Sequence, residues 1–411
     1  MDKIKKKPTI AGVMWKTVSE ACNLACDYCY YSSCGGKPGK INRVDEDVLE
    51  KFIIEYMKIK RRAVPFAWQG GEPLLAGLDF FQKVVDLQAK HAPRNTMISN
   101  AIQTNGTLIT MAWAQFFKKY NFLVGVSIDG PQVMNDRRRV TSAGGGSFNA
   151  IMRGINHLRE ENVDFNILTV IHEDNVSHAQ ELMAFFDEQN FSHVQFIPCM
   201  DFRAQDINQP PRYHISPEQY GQFLCECFDY WYNDGFPKMS IRFFDNMLAD
   251  YLNQSAELCT HMEFCPTTLI LEPNGDAYPC DFFIHDDYKL GNIKTHALEE
   301  LIDHPTMKRF LTKKPNLPEA CQSCEFLSLC HGGCPRNRSE IEPNQTEYFC
   351  ESYQMIYRYA DQRMQTVAEN IRGKSINEYV KLGHPLPNRN DQCLCGSGKK
   401  FKQCCMKLIE A

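Results

Sequence analysis

The run Gly12-Val-Met-Trp-Lys-Thr-Val-Ser-Glu-Ala-Cys22-Asn-Leu-Ala-Cys26-Asp-Tyr-Cys29 decides how the rest of the chain is read. Its opening residues form a short apolar stretch, expected as a strand over Gly12–Thr17, that empties into a loop holding three thiols. Further strands are expected at Val64–Trp68, Ile98–Gln103, Phe122–Ile128, Asp164–Ile171 and His193–Ile197, each short and rich in β-branched or aromatic residues. Between them apolar residues recur at helical spacing: Val48, Phe52, Ile53 and Tyr56; Phe80, Val84 and Leu87; Met111, Phe116 and Phe117. Ile151, Ile155 and Leu158 follow Ser147, and Leu182, Phe185 and Phe186 follow Ser177. This alternation predicts an α/β fold of parallel strands with right-handed crossovers, and six such units suit a partial (β/α)6 barrel better than a closed eightfold one. Chemistry in such sheets gathers at the C-terminal strand ends. Gln69-Gly70-Gly71-Glu72-Pro73, Thr104-Asn105-Gly106-Thr107 and Asp129-Gly130-Pro131 each follow a strand, as the cysteine triplet follows the first.

The chain has 411 residues, more than one ordinary domain, and divides into an expected barrel at 1–235, a cysteine-rich domain at 236–372 and a small tail at 386–411. Hydrophobic residues make up 43% and charged residues 23%, enough for a sizeable core. A net charge of -5 gives no basic field, so nucleic acid is not an expected partner. No apolar run approaches the roughly 20 residues that cross a bilayer, and no membrane partner is expected. The N-terminus is basic but lacks the apolar core and cleavage site of a signal peptide, which predicts a cytoplasmic protein. In that compartment the 19 cysteines read as metal ligands or catalysts instead of disulfides. Beyond Pro198 a polar loop is expected over Asp201–Pro217, helices over Glu218–Asp234, Phe243–Asn253 and Glu351–Arg372, and a hairpin pairing Thr268–Leu271 with Asp276–Pro279.

Cys22, Cys26 and Cys29 can hold three irons of a [4Fe–4S] cube and leave the fourth open. An open iron can chelate the amino and carboxylate groups of S-adenosylmethionine, whose reductive cleavage yields a 5′-deoxyadenosyl radical. The triplet alone also fits a zinc site short of a ligand, or a redox Cys-x-x-Cys pair. CNLACDYCYY, QGGEPLL, TNGTLI and VSIDGP, in that order over about the first 200 residues, resemble the radical S-adenosylmethionine superfamily. The resemblance implies that Gly71 contacts the cofactor's amino group through its backbone and that Tyr28 lies near the adenine. It further implies that Ser127 and Arg139 bind the ribose and carboxylate, and that Met200 lines the adenine pocket.

Eight cysteines between Cys259 and Cys350 suffice for two fully ligated cubes, which would carry electrons; a pair of zinc ribbons is the alternative. Their arrangement resembles the SPASM extension and, more closely over about residues 12–360, the anaerobic sulfatase-maturating enzymes. By that resemblance Cys259, Cys265, Cys280 and Cys334 hold one auxiliary [4Fe–4S] cluster and Cys321, Cys324, Cys330 and Cys350 the other, making three clusters with the first. Oxidation of a side-chain Cβ to an aldehyde needs a proton acceptor, and Asp281, directly after Cys280, matches the family's general base. The tail, Cys393-Leu-Cys395 with Cys404-Cys405, suits one zinc ion held by four thiolates and resembles the zinc-binding motif at the C-terminus of SecA.

The function expected from these signals is oxidation of a cysteine or serine in an unfolded sulfatase to Cα-formylglycine, with a flavodoxin- or ferredoxin-type electron donor. Thioether or carbon–carbon crosslinking of a ribosomal peptide is the alternative enzyme, and an iron–sulfur or zinc adaptor the alternative without catalysis.

Overall fold

The computed structural model describes residues 10–59, 62–199, 215–338 and 344–409. In chain order the first half runs β1 (Gly12–Lys16), α1 (Glu46–Ile59), β2 (Ala63–Gln69), α2 (Leu78–His91), β3 (Met97–Thr104), α3 (Met111–Lys119) and β4 (Phe122–Ser127). It continues with α4 (Gln132–Arg138), α5 (Phe148–Glu160), β5 (Phe165–Ile171), α6 (Ala179–Glu188) and β6 (His193–Pro198). All six expected strands form, with ends within two residues of those read from the sequence. The second half holds α7 (Pro217–Tyr232), β7 (Ser240–Ile241), α8 (Arg242–Tyr251), the hairpin β8 (Thr268–Leu271) and β9 (Asp276–Tyr278), and β10 (Gly291–Asn292). Five further helices follow: α9 (Leu298–Ile302), α10 (Pro305–Leu311), α11 (Glu319–Gln322), α12 (Leu327–Cys330) and α13 (Cys350–Lys381).

These elements divide between two compact units. The first comprises Met1–Asn175, Ile197–His214 and Cys265–Asn316. Within it β1 to β5 pair in sequence order and all in parallel. On the other side of β1 lies β8, also parallel, which pairs antiparallel with β9, and β9 with β10. The expected apolar stripes face inward: Phe52, Ile53, Tyr56, Val84, Phe117, Ile151, Ile155 and Leu158 are all at most 2% exposed, Leu87 is 3% and Phe80 8% exposed. Neither serine cap forms as expected: α6 begins after His178, not Ser177, and takes no side-chain cap. Ser147 precedes α5 without a side-chain cap, and the Asp136 carboxylate instead accepts from the amides of Ser147 and Phe148 at 2.9 and 2.8 Å. A carboxylate suits the positive end of the helix dipole.

The second unit comprises Val176–Phe196, Ile215–Phe264 and Leu317–Ala411. Its spine is α13, 32 residues long, packed against α7. The helix starts at Cys350 itself and runs nine residues past the expected end, because no glycine or proline stops it before Gly383 apart from an accommodated Gly373. A capping box at Ser216 and Gln219 starts α7.

Candidate active site and cysteine centres

The cysteine triplet sits on a loop held at both flanks. On one side Ala25 donates its amide to the Val140 carbonyl at 2.7 Å, and Leu24 bridges Thr141. On the other, the amides of Gly71 and Glu72 donate to the carbonyls of Ser19 and Ala21, both at 2.7 Å. The two segments approach so closely that a Cβ on Gly71 would lie 2.1 Å from the Ala21 oxygen, which leaves glycine as the residue that fits. Because its amide is engaged, the Gly71 group left to meet an ammonium is its carbonyl. Glu72 locks the same turn: its carboxylate accepts from the Leu74 amide (2.9 Å), the Thr104 hydroxyl (2.8 Å) and the Asn105 amide (2.7 Å). Burial pushes this carboxyl up to about 7, against the pull of those three donors. Cys22 is buried, with Cys26 and Cys29 partly exposed, and burial pushes the Cys22 and Cys26 thiols up to about 12. Asn105 Nδ2 lies 3.8 Å from the Cys22 sulfur. Cys34 turns its thiol to the Cys22 carbonyl at 3.2 Å.

Tyr28 is buried beside this loop, its hydroxyl donated to Asp129 and its ring stacked on His172 at 5.7 Å. Arg139 is 6% exposed, pairs with Asp129 through Nε at 3.0 Å and lies 5.6 Å from the Tyr28 ring. The fully buried Asp129 is the hub: it also accepts from the Val170 amide at 3.0 Å, and His172 Nε2 lies 3.9 Å away. Arg139 therefore differs from its neighbour Arg138, which pairs with Asp27, Glu173 and Asp174 nearer the surface. Ser127, the last residue of β4, accepts from Gln103 at 2.9 Å. Met200 lies outside the described residues.

Asp281 belongs to the same unit. Its Oδ1 pairs with Lys16 and its Oδ2 accepts from the Tyr30 hydroxyl at 2.5 Å. Lys16 ends β1 with its side chain wholly enclosed. Its ammonium also lies 3.3 Å from Tyr30 Oη and Gln69 Oε1, and 4.2 Å from the centre of the Tyr31 ring. The Tyr31 hydroxyl donates to Glu272 at 2.5 Å, and burial raises the Glu272 carboxyl. The sequence singles out Asp281 but not Lys16, Tyr30 or Glu272. The readable signal was a lysine closing an apolar strand.

In the second unit Cys321, Cys324, Cys330 and Cys350 line one cavity with Leu327, Tyr353 and Tyr357. Positive φ at His331, Gly332 and Gly333 turns the chain sharply after Cys330. Of the remaining expected ligands, Cys265 and Cys280 lie in the first unit and Cys259 and Cys334 in the second. In the tail the sulfurs of Cys393, Cys395, Cys404 and Cys405 all lie within 4.8 Å of one another. Cys395 is 3.5 Å from Cys393 and 3.4 Å from Cys404, and Cys404 is 3.9 Å from Cys405. A tetrahedral ion with metal–sulfur bonds of about 2.3 Å sets sulfurs about 3.8 Å apart, whereas a disulfide sets them at about 2.05 Å. Burial raises the Cys395 thiol, but hydrogen bonding with Ser397, Cys404 and Cys393 outweighs it and lowers the thiol to about 6. Ile376, Phe401, Leu408 and Tyr379 pack around the quartet. No described helix is long and apolar enough to cross a membrane.

Residues 17–186 match the radical SAM superfamily, 259–325 the SPASM iron–sulfur cluster-binding domain and 389–407 the SEC-C motif. A serine-type anaerobic sulfatase-maturating enzyme of Bacteroides thetaiotaomicron is 38% identical over 368 residues, spanning 84% of this chain and 88% of that one. A cysteine-type enzyme of Clostridium novyi is 36% identical over 366 residues, 88% of this chain and 98% of its own. The solved structure of native anSMEcpe with bound AdoMet and Cp18Cys peptide superposes with a TM-score of 0.81 at 35% identity, covering 88% of this chain and 99% of that one. With most of its length shared at this identity, the chain belongs to the anaerobic sulfatase-maturating enzymes, within the radical SAM superfamily.

Proposed function

We propose that the protein oxidises a cysteine or serine side chain in an unfolded sulfatase segment to Cα-formylglycine. The observation that carries this reading is the placement of Asp281, held by Lys16 and Tyr30 in the same unit as the Cys22–Cys29 loop. The overall change removes one hydrogen atom, one proton and one electron from CH2–OH or CH2–SH; a thioaldehyde then exchanges sulfur for the oxygen of water. When bound, S-adenosylmethionine with the [4Fe–4S] cluster of Cys22, Cys26 and Cys29 supplies the radical that takes the hydrogen atom, and the auxiliary clusters supply acceptors for the electron. Asp281 takes the proton from the substrate hydroxyl or thiol. The Gly71 carbonyl would receive the cofactor's ammonium, Arg139 and Ser127 would meet its carboxylate and ribose, and Tyr28 would lie near its adenine. Cys321, Cys324, Cys330 and Cys350 hold one auxiliary [4Fe–4S] cluster, a reading supported by the cavity they line. Cys259, Cys265, Cys280 and Cys334 hold the other. The tail quartet holds one zinc, its spacing being that of a single ion's ligand shell. We assign residues 1–235, 236–372 and 386–411 as the three functional regions, and a flavodoxin or ferredoxin as reductant.

Near-equal identity to serine- and cysteine-type relatives leaves both side chains as substrates. The test is anaerobic reconstitution with sulfatase peptides carrying Cys-x-Pro-x-Arg or Ser-x-Pro-x-Arg and mass spectrometry for the aldehyde. Deoxyadenosine release without aldehyde on either peptide would refute the assignment and transfer it to peptide crosslinking.

A further inference from the structure

Lys16 is an unusual residue for its place. It ends β1, the strand that β2 and β8 flank, and its side chain is fully enclosed. A buried ammonium is expensive unless each of its protons has a partner, and an apolar residue of similar volume would suit the end of a buried strand. Its partners here all come from segments that surround the reaction site. They are Asp281 after Cys280, Tyr30 after Cys29, and Gln69 before the Gly70-Gly71 turn, with the Tyr31 ring beneath. Apart from Lys16, the buried Asp281 Oδ1 has no hydrogen-bond partner among the described residues. Tyr30 holds the other oxygen, and its ring packs on Phe282 at 5.0 Å. The carboxylate is thus fixed through both oxygens, and one of the two fixings is Lys16.

We propose that Lys16 is the positioning residue for Asp281, aiming the carboxylate at the substrate hydroxyl or thiol; the proposal rests on the reading of Asp281 as the base. It does not touch the substrate. Its effect is on how often a substrate that has lost its hydrogen atom goes on to aldehyde. General-base placement contributes about 10²–10⁴ in rate, so partial misplacement is expected to cost at least about tenfold.

The experiment compares wild type, Lys16→Met, Lys16→Arg and Asp281→Asn as reconstituted holoenzymes. The readouts are iron per chain, peptide KM, and aldehyde formed per deoxyadenosine released. Lys16→Met is expected to keep its iron and its peptide KM while aldehyde per deoxyadenosine falls about tenfold or more. Lys16→Arg, which keeps the charge, is expected to recover part of that ratio; a merely structural lysine would give no such split. An unchanged ratio in Lys16→Met beside a collapsed ratio in Asp281→Asn overturns the role of Lys16 alone. An unchanged ratio in Asp281→Asn overturns the base itself. Should Lys16→Met lose its clusters, Lys16→Gln carries the same comparison, because an amide still fills the enclosed position.

Discussion

Replacing Gly71 by alanine tests whether the loop of Cys22, Cys26 and Cys29 depends on contact with the Gly70-Gly71-Glu72 turn. The added Cβ would lie 2.1 Å from the Ala21 oxygen, 2.5 Å from its carbonyl carbon and 2.6 Å from the Glu20 oxygen, all backbone atoms that no rotamer change can clear. Restoring an ordinary contact of 3.4 Å requires the segments to part by about 1.3 Å. That displacement takes both 2.7 Å amide bonds, Gly71 to Ser19 and Glu72 to Ala21, out of hydrogen-bonding range. Two lost hydrogen bonds at about 1 kcal/mol each, with about 1–3 kcal/mol for the forced overpacking, place the local cost at about 3–5 kcal/mol. The lower bound corresponds to about a hundredfold in affinity for whatever the loop holds. After anaerobic reconstitution, Gly71→Ala should carry about two thirds of the wild-type iron, retaining the auxiliary clusters. Equilibrium dialysis should show S-adenosylmethionine binding weakened about a hundredfold. Full iron with undiminished cofactor binding would refute the argument that this contact sets the loop.

Two further outcomes are expected. Cys395→Ser should lose the zinc proposed for the tail, measured as metal per chain, and expose residues 389–409 to limited proteolysis, while oxidation of a short peptide is unchanged; a variant that bound as much zinc as wild type would remove Cys395 from the ligand set. The Glu72 carboxyl stands at about 7 in the folded chain against an ordinary 4.5, so folding takes up a proton between those values. Stability of the iron-free chain should therefore fall as pH rises through that window, by about 3 kcal/mol in full. Urea midpoints at about pH 5 and about pH 8 measure the slope, and Glu72→Gln should flatten it.

The parts of this fold that the sequence disclosed are those where chemistry fixes spacing. Three thiols on one loop, a Gly-Gly-Glu-Pro turn and paired cysteines in the tail can be read without coordinates, because a cluster or an ion constrains neighbours in the chain. The six strands were legible for a related reason: each is short, apolar and followed by a helical stripe. What stayed hidden are partners distant in sequence. Asp129 appears in the sequence as one member of an Asp-Gly-Pro turn, and its burial beneath Tyr28, Arg139 and His172 depends on β4 lying beside β5. Arg139 and Arg138 are indistinguishable as letters, yet one is enclosed against Asp129 and the other reaches Asp27 and Glu173. The extent of α13 was underestimated because its last turns bury little beyond Ile376, a weak periodic signal.

The placement of Asp281 follows from one topological fact. β1 is followed by the cysteine loop, its neighbour β2 is followed by the Gly70-Gly71 turn, and its other neighbour β8 leads through β9 to Cys280 and Asp281. Since β1, β2 and β8 run parallel, the residues closing β1, β2 and β8, namely Lys16, Gln69 and Leu271 with Glu272 after it, emerge at the same edge of the sheet. The hairpin turn at that edge sends the chain back along β9, antiparallel to β8, and the segment after Tyr278 then brings Asp281 against Lys16 and Tyr30. In this way Asp281, eleven residues short of the end of β10, is bound to the end of the first strand through a buried lysine.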